Sequence, residues 1–164
     1  MTKIDYKPEC CEFCGQTKTY LLPVDRGTVS ILKAVAGCIR EKGINCVHLT
    51  KEVLEQGFFT SHHQTGNISR PRFHGLVAKV EGKIGNFCLT RKGAKFLKGE
   101  PIPRFAIISK EEHRQVGYYK PDEHQCVISD FFKEGEYWEG INFDIKEGEI
   151  VVTPQVKSKQ DQLL

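Results

Sequence analysis

Apolar residues first recur at helical spacing in "TVSILKAVAGCIREKG", where Val29, Leu32, Val35 or Ala36, and Ile39 fall three or four positions apart. This spacing predicts a helix with Thr28 as N-cap and Gly43 as its stop. "INCVHL" follows as a short strand rich in β-branched residues, and "TKEVLEQG" predicts a second, short helix from Thr50 to Gly57 around Val53 and Leu54. The next stretch, "FFTSHHQTGNISRPRFHG", offers a cap at Thr60 or Ser61 but carries Gly66 and Pro71. Proline inside a helix costs about 3 kcal/mol through a lost hydrogen bond and a clash with the preceding turn. Two arrangements fit: a kinked helix over 61–74, or a shorter helix capped by Ser69 with Pro71 in its first turn, leaving "SHHQTGN" as a loop or a separate turn. "LVAKV" and "NFCLT" then read as strands joined by "EGKIG", and "RKGAKFLKGE" as a terminal helical turn or two.

Beyond residue 100 the pattern changes. "RFAIISKEEHRQVGYYKPDEHQCVISDFF" alternates apolar and polar positions across two or three strands, with "KPDEH" as a turn. "KEGEYWEGINFDIKEGEIVV" sets Trp138 beside Tyr137 and Phe143 among acids. Such a surface suits a protein partner or packing on a basic element, and the same aromatics also suit a core. From Pro154 the chain is polar and is expected to fray. The expected division is a zinc knuckle over 1–22, a helical and hairpin domain over 23–100, a β-rich extension over 101–153 and a flexible tail over 154–164.

A chain of 164 residues with 39% hydrophobic and 27% charged content has enough apolar side chain for the core of one or two small domains and lies outside the disordered class. It contains no run of 18 apolar residues, and its start, "MTKIDYKPECCEFC", lacks the apolar centre of a signal peptide. The expectation is a cytoplasmic protein without a membrane partner. The net charge of +3 conceals a polarised distribution: residues 60–99 hold eight Lys/Arg against the single acid Glu81, whereas residues 100–164 hold eight against thirteen acids. A segment this basic suits a polyanion, although a solvated face has the same composition.

Helix, short strand, helix, helix, hairpin, helix is the order of a winged helix, whose second and third helices form a helix-turn-helix and whose hairpin is the wing. A wing that follows phosphates needs glycines at its tip and donors around it. "HGLVAKVEGKIGNFCLTRKGAKFLKGE" also resembles the closing segment of many small winged-helix proteins: Gly-Leu-Val, strand, short wing, strand, Leu-Thr, a basic residue, Lys-Gly and an apolar pair, here Phe96 and Leu97. The resemblance covers roughly residues 28–99. It implies an α+β fold, a winged helix-turn-helix with an N-terminal Cys knuckle and a small C-terminal antiparallel β extension, acting on double-stranded DNA as a regulator. The expected contacts are His62, His63, Gln64, Asn67, Arg70 and Arg72 on the recognition segment, and Lys79, Lys83, Asn86, Arg91, Lys92 and Lys95 on and after the wing. The alternative is a module that uses the same fold to bind a nucleic-acid-handling protein.

Cysteine supplies the remaining chemistry. Seven cysteines, an odd number without framework spacing, are expected in a reducing compartment to be metal ligands or buried thiols. In "ECCEFCGQTKTYLL", Cys11 and Cys14 flank two residues before Gly15, the spacing that aims two thiolates at one structural Zn2+. Cys10 is a third candidate, although adjacent side chains tend to point apart. Further donors would come from Cys38, Cys46, Cys88, Cys126, His48, His62 or His63, or from the same pair in a second chain, which would make a homodimer. The arrangement resembles, more loosely, small phage-type and mobile-element proteins with an N-terminal Cys-x-x-Cys ahead of a winged helix and short β tail. No phosphate-binding loop, Gly-x-Ser-x-Gly or His-Glu-x-x-His occurs, so the sequence gives no support to an enzyme.

Overall fold

The computed structural model describes residues 4–132 together with the strands Asn142–Ile145 and Val152–Gln155. It is a mixed α+β structure of short helices and small antiparallel sheets.

The central element is α1 (Arg26–Lys42). Val29, Leu32, Val35, Ala36 and Ile39 are all buried on it, as their spacing predicts. Burying each of the larger aliphatics contributes about 1.5–3 kcal/mol. Asp25, rather than Thr28, is the N-cap: its carboxylate accepts from Thr28 N and Thr28 Oγ1, both at 2.8 Å. Thr28 is fully buried inside the first turn, where its hydroxyl is a donor to the cap. Gly43 ends the helix in the left-handed region, its N–H donating to Ile39 O.

The expected second helix is a π-helical segment, Leu49–Leu54. It starts one residue before Thr50, because the ring of His48 takes the cap by accepting from Lys51 N. "SHHQTGNISRPRF" divides into two five-residue helices, α2 (His62–Gly66) and α3 (Ser69–Phe73). This is the second of the two expected arrangements, with one change. Ile68 occupies the cap position, Ser69 is already helical, and Pro71 sits in the first turn, where its missing N–H costs little.

The strands β2 (Val47–His48), β3 (Val77–Lys79) and β4 (Asn86–Leu89) form a sheet of order β2-β4-β3, with Val47 opposite Phe87 and Val77 opposite Leu89. Asn45 prolongs the β2–β4 edge with its side chain, donating to Leu89 O and accepting from Leu89 N. The helix α4 (Arg91–Lys98) is capped by Thr90 and buries Phe96 and Leu97. One apolar core joins α1, the π-helical segment, this sheet and α4 with Ile102, Cys126, Ile128 and Phe131.

A second sheet joins an early segment of the chain to residues beyond 100. The strand β1 (Thr19–Pro23) pairs with β6 (Phe105–Ser109), which pairs with β7 (Arg114–Tyr118). Leu22, Ala106 and Ile108 form a second apolar cluster, closed by Phe73 of α3 and Tyr118. The short strands β5 (Ile102–Pro103) and β8 (Gln125–Cys126) pair with each other, and the predicted "KPDEH" turn is present, with Glu123 N and His124 N both donating to Lys120 O. The strands β9 (Asn142–Ile145) and β10 (Val152–Gln155) pair antiparallel, β9 beside α4 and β10 beside α1. Pro154 and Gln155 therefore belong to a strand. Trp138 and Tyr137 lie outside the described residues, and Phe143 is described through its backbone alone. Among the described residues no helix is long and apolar enough to cross a membrane.

Candidate nucleic-acid interface and cysteine knuckle

The hairpin between β3 and β4 exposes two lysines, Lys79 and Lys83. Its tip turns on Gly82 and Gly85, both at φ near +79, and is closed by Val80 N to Asn86 O, Lys83 N to Val80 O and Asn86 N to Lys83 O. At Gly85 a side chain is excluded twice: the backbone is left-handed, and a Cβ would lie 2.7 Å from Nε2 of His48. The turn therefore rests on the His48 ring, which also caps the π-helical segment. Lys79 and Lys83 are exposed, and Ile84 between the glycines is 97% exposed. The hairpin curls around an open concavity of about 690 Å³ lined by Lys79 to Phe87. The Asn86 amide is engaged, donating to Cys46 Sγ at 3.3 Å.

The basic residues on α4 divide. Arg91 and Lys95 are exposed, whereas Lys92 donates to the Tyr118 hydroxyl, and its ammonium lies 4.2 Å from the centre of that ring. Lys92 thus clamps α4 to β7.

The segment expected to read bases is more occupied than its composition suggests. Arg70 donates to Asp25 at 2.9 Å, so the carboxylate that caps α1 also holds α3. The Arg72 guanidinium lies over the Phe73 ring at 5.0 Å, and Pro71 is buried. Gln64 accepts from Thr60 N and donates to Ser30 Oγ, tying α2 to α1. His62, His63 and Asn67 are exposed, the two imidazoles stacked with centroids 4.7 Å apart. The structure therefore leaves exposed donors at His62, His63, Asn67, Lys79, Lys83 and Lys95, and turns Gln64, Arg70, Arg72, Asn86 and Lys92 to internal partners.

Sequence reasoning passed over His74. It is fully buried at the end of α3 with neither ring nitrogen hydrogen-bonded. Burial pushes its pKa down to about 4; the Pro23 carbonyl and Asp25 act against this, while Lys92 and Arg70 add to it.

At the other end, Cys11 and Cys14 occupy a tight turn. Gly15 N donates to Cys11 O and Cys11 N to Gln16 O, and Cys10 bridges to Thr17. The backbone of Cys14 and Phe13, the Cys14 thiol and the charge of Lys18 hold the Cys11 pKa below the usual thiol value. Cys10 donates instead to Pro8 O. All seven cysteines are free thiols. Burial pushes Cys38 and Cys126 up to about 11 and raises Cys88, as expected of thiols that stay protonated in a core. Among the described residues no three His, Cys, Asp or Glu side chains converge on one point. Comparison of the chain with protein-family models, curated proteins and solved structures returned no match.

Proposed function

We propose that this chain is a winged-helix protein that binds double-stranded DNA, with the β3–β4 hairpin as its wing. The observation that carries the reading is the hairpin itself: a glycine-framed tip that projects Lys79 and Lys83 into solvent from the edge of a β2-β4-β3 sheet. That sheet backs α1, the π-helical segment and the α2–α3 pair, in the element order that such a domain requires. Lysines on a projecting turn suit phosphate contacts, which supply affinity without reading sequence. His62, His63 and Asn67 on and after α2 are the groups for base edges. With Arg70 and Arg72 engaged internally, binding is mainly electrostatic and weakly sequence-selective.

A second reading draws on Ile84. An apolar side chain at the tip of a basic hairpin also suits an acidic protein groove, which would make the chain an accessory factor for a nucleic-acid-handling machine. Titration of the purified protein against random-sequence duplex at low salt tests the proposal. Saturable binding that weakens steeply with salt supports DNA; absence of binding overturns it in favour of the protein partner.

A further inference from the structure

We propose that Cys11 and Cys14 are one half of a tetrahedral zinc site that a second copy of this chain completes, so that one ion joins two chains through four thiolates. The inference is independent of DNA binding.

The turn is already shaped for a metal. Cys11 and Cys14 stand three residues apart on one tight turn, closed by Gly15 N donating to Cys11 O, so that the hairpin end presents two thiols as half of a tetrahedral site. The turn is held by backbone, through Gly15 N to Cys11 O, Cys11 N to Gln16 O and Lys18 N to Glu9 O, so it does not depend on the metal for its outline. It is also anchored to the second sheet, since Lys110 N donates to Lys18 O and Lys110 Nζ to Thr17 Oγ1. Lys18, whose charge acts on Cys11, offers compensation to a four-thiolate zinc centre with its net charge of about −2.

The described residues offer no third donor beside this pair, and the rest of the site is assigned to a second chain. A structural zinc takes four sulfur or nitrogen donors. Every cysteine and histidine of the sequence lies within the described residues, yet none forms a group of three with Cys11 and Cys14. The remainder of the chain contributes carboxylates alone as metal donors. A pair of thiolates is self-complementary about a two-fold axis through the ion: each chain supplies the same two residues and receives the same two. The knuckle is open for this, with Cys14, Gly15 and Gln16 exposed and Phe13 97% exposed. Each thiol that binds releases one proton, and no oxidation or reduction is involved.

The test uses full-length, tag-free protein prepared with zinc and kept under a non-thiol reductant, so that disulfide-linked pairs do not form. Elemental analysis should find about one zinc for two chains, and light scattering a mass twice that of the chain. Chelation should remove both, and added zinc should restore both. Cobalt in place of zinc should give the charge-transfer and d–d bands of a tetrahedral all-thiolate site. The Cys11→Ser, Cys14→Ser variant should be a zinc-free monomer whose far-ultraviolet circular dichroism is unchanged, because the knuckle lies outside both apolar clusters. Cys10→Ser should keep metal and mass; loss of either would make Cys10 a ligand and overturn the two-by-two site. One zinc per monomer, no zinc, or a dimer indifferent to chelator would each overturn it as well.

Discussion

His74 is expected to make the stability of this protein depend on pH near neutrality. Its folded pKa is about 4 against an ordinary value of 6.5, because the ring is fully buried and the Pro23 carbonyl and Asp25 offset only part of that desolvation. A histidine depressed on folding is neutral in the native state while the unfolded chain takes up a proton, so stability is full above the unfolded pKa and is lost as pH falls. The shift corresponds to about 3 kcal/mol once pH lies below both values, of which about 2 kcal/mol should be lost between about pH 7 and about pH 5. Urea unfolding of wild type and His74→Leu at the two pH values isolates the contribution, since the carboxylates titrate in both. The variant should lose less stability over this interval by that amount. At neutral pH it should be close to wild type in stability, because a fully buried neutral imidazole is replaced by an apolar side chain of similar volume. The ring resonances of His74, followed by NMR, should show no titration down to about pH 5. Equal pH dependence of the two proteins, or a ring that titrates at its ordinary value, would refute the reasoning.

Other substitutions probe particular contacts. In Gly93→Ala the new Cβ would lie 2.1 Å from the Leu76 carbonyl oxygen and 2.9 Å from Leu89 Cδ1, so α4 must move off the sheet. The cost should be about 1–3 kcal/mol or more in urea unfolding, despite the better helix propensity of alanine, and a neutral effect would contradict the packing of α4. Asp25→Asn keeps an acceptor for Thr28 N but removes the anion facing Arg70. Because that pair is part exposed, stability should fall by no more than about 1 kcal/mol, while the slope of log K against log salt for DNA binding should steepen by about 0.9 as Arg70 is released. An unchanged slope would mean that Arg70 does not reach phosphate.

The parts of the fold legible in the sequence are those set by local periodicity. Val29, Leu32, Val35 and Ile39 follow helical spacing, and every one of them is buried. The glycines of "EGKIG" mark a turn, and Gly82 and Gly85 both adopt positive φ there. Pro71 divides its segment as its missing N–H requires. Pairing across long separations was not legible: "TYLLP" has no pattern of its own that selects residues 105–109 as its partner, so β1 went unread and the first and last segments were kept apart. Caps also depend on geometry rather than residue type. Thr28 and Thr50 are good cap residues, but Asp25 and His48 lie where the free N–H groups point. The candidate interface suffered the same limit, because composition counts Arg70, Lys92 and Gln64 as available donors while tertiary contacts with Asp25, Tyr118 and Ser30 engage them.

The central claim, that the β3–β4 hairpin meets DNA phosphates, is tested most directly by the salt dependence of binding. Fluorescence anisotropy with one random-sequence duplex, over a series of salt concentrations, gives the slope of log K against log salt for wild type and for the Lys79→Glu, Lys83→Glu double variant. Each phosphate contact contributes about 0.9 to that slope. The account predicts that the variant binds more weakly and that its slope is shallower by about two. Equal slopes for the two proteins would contradict it and remove the hairpin from the DNA interface.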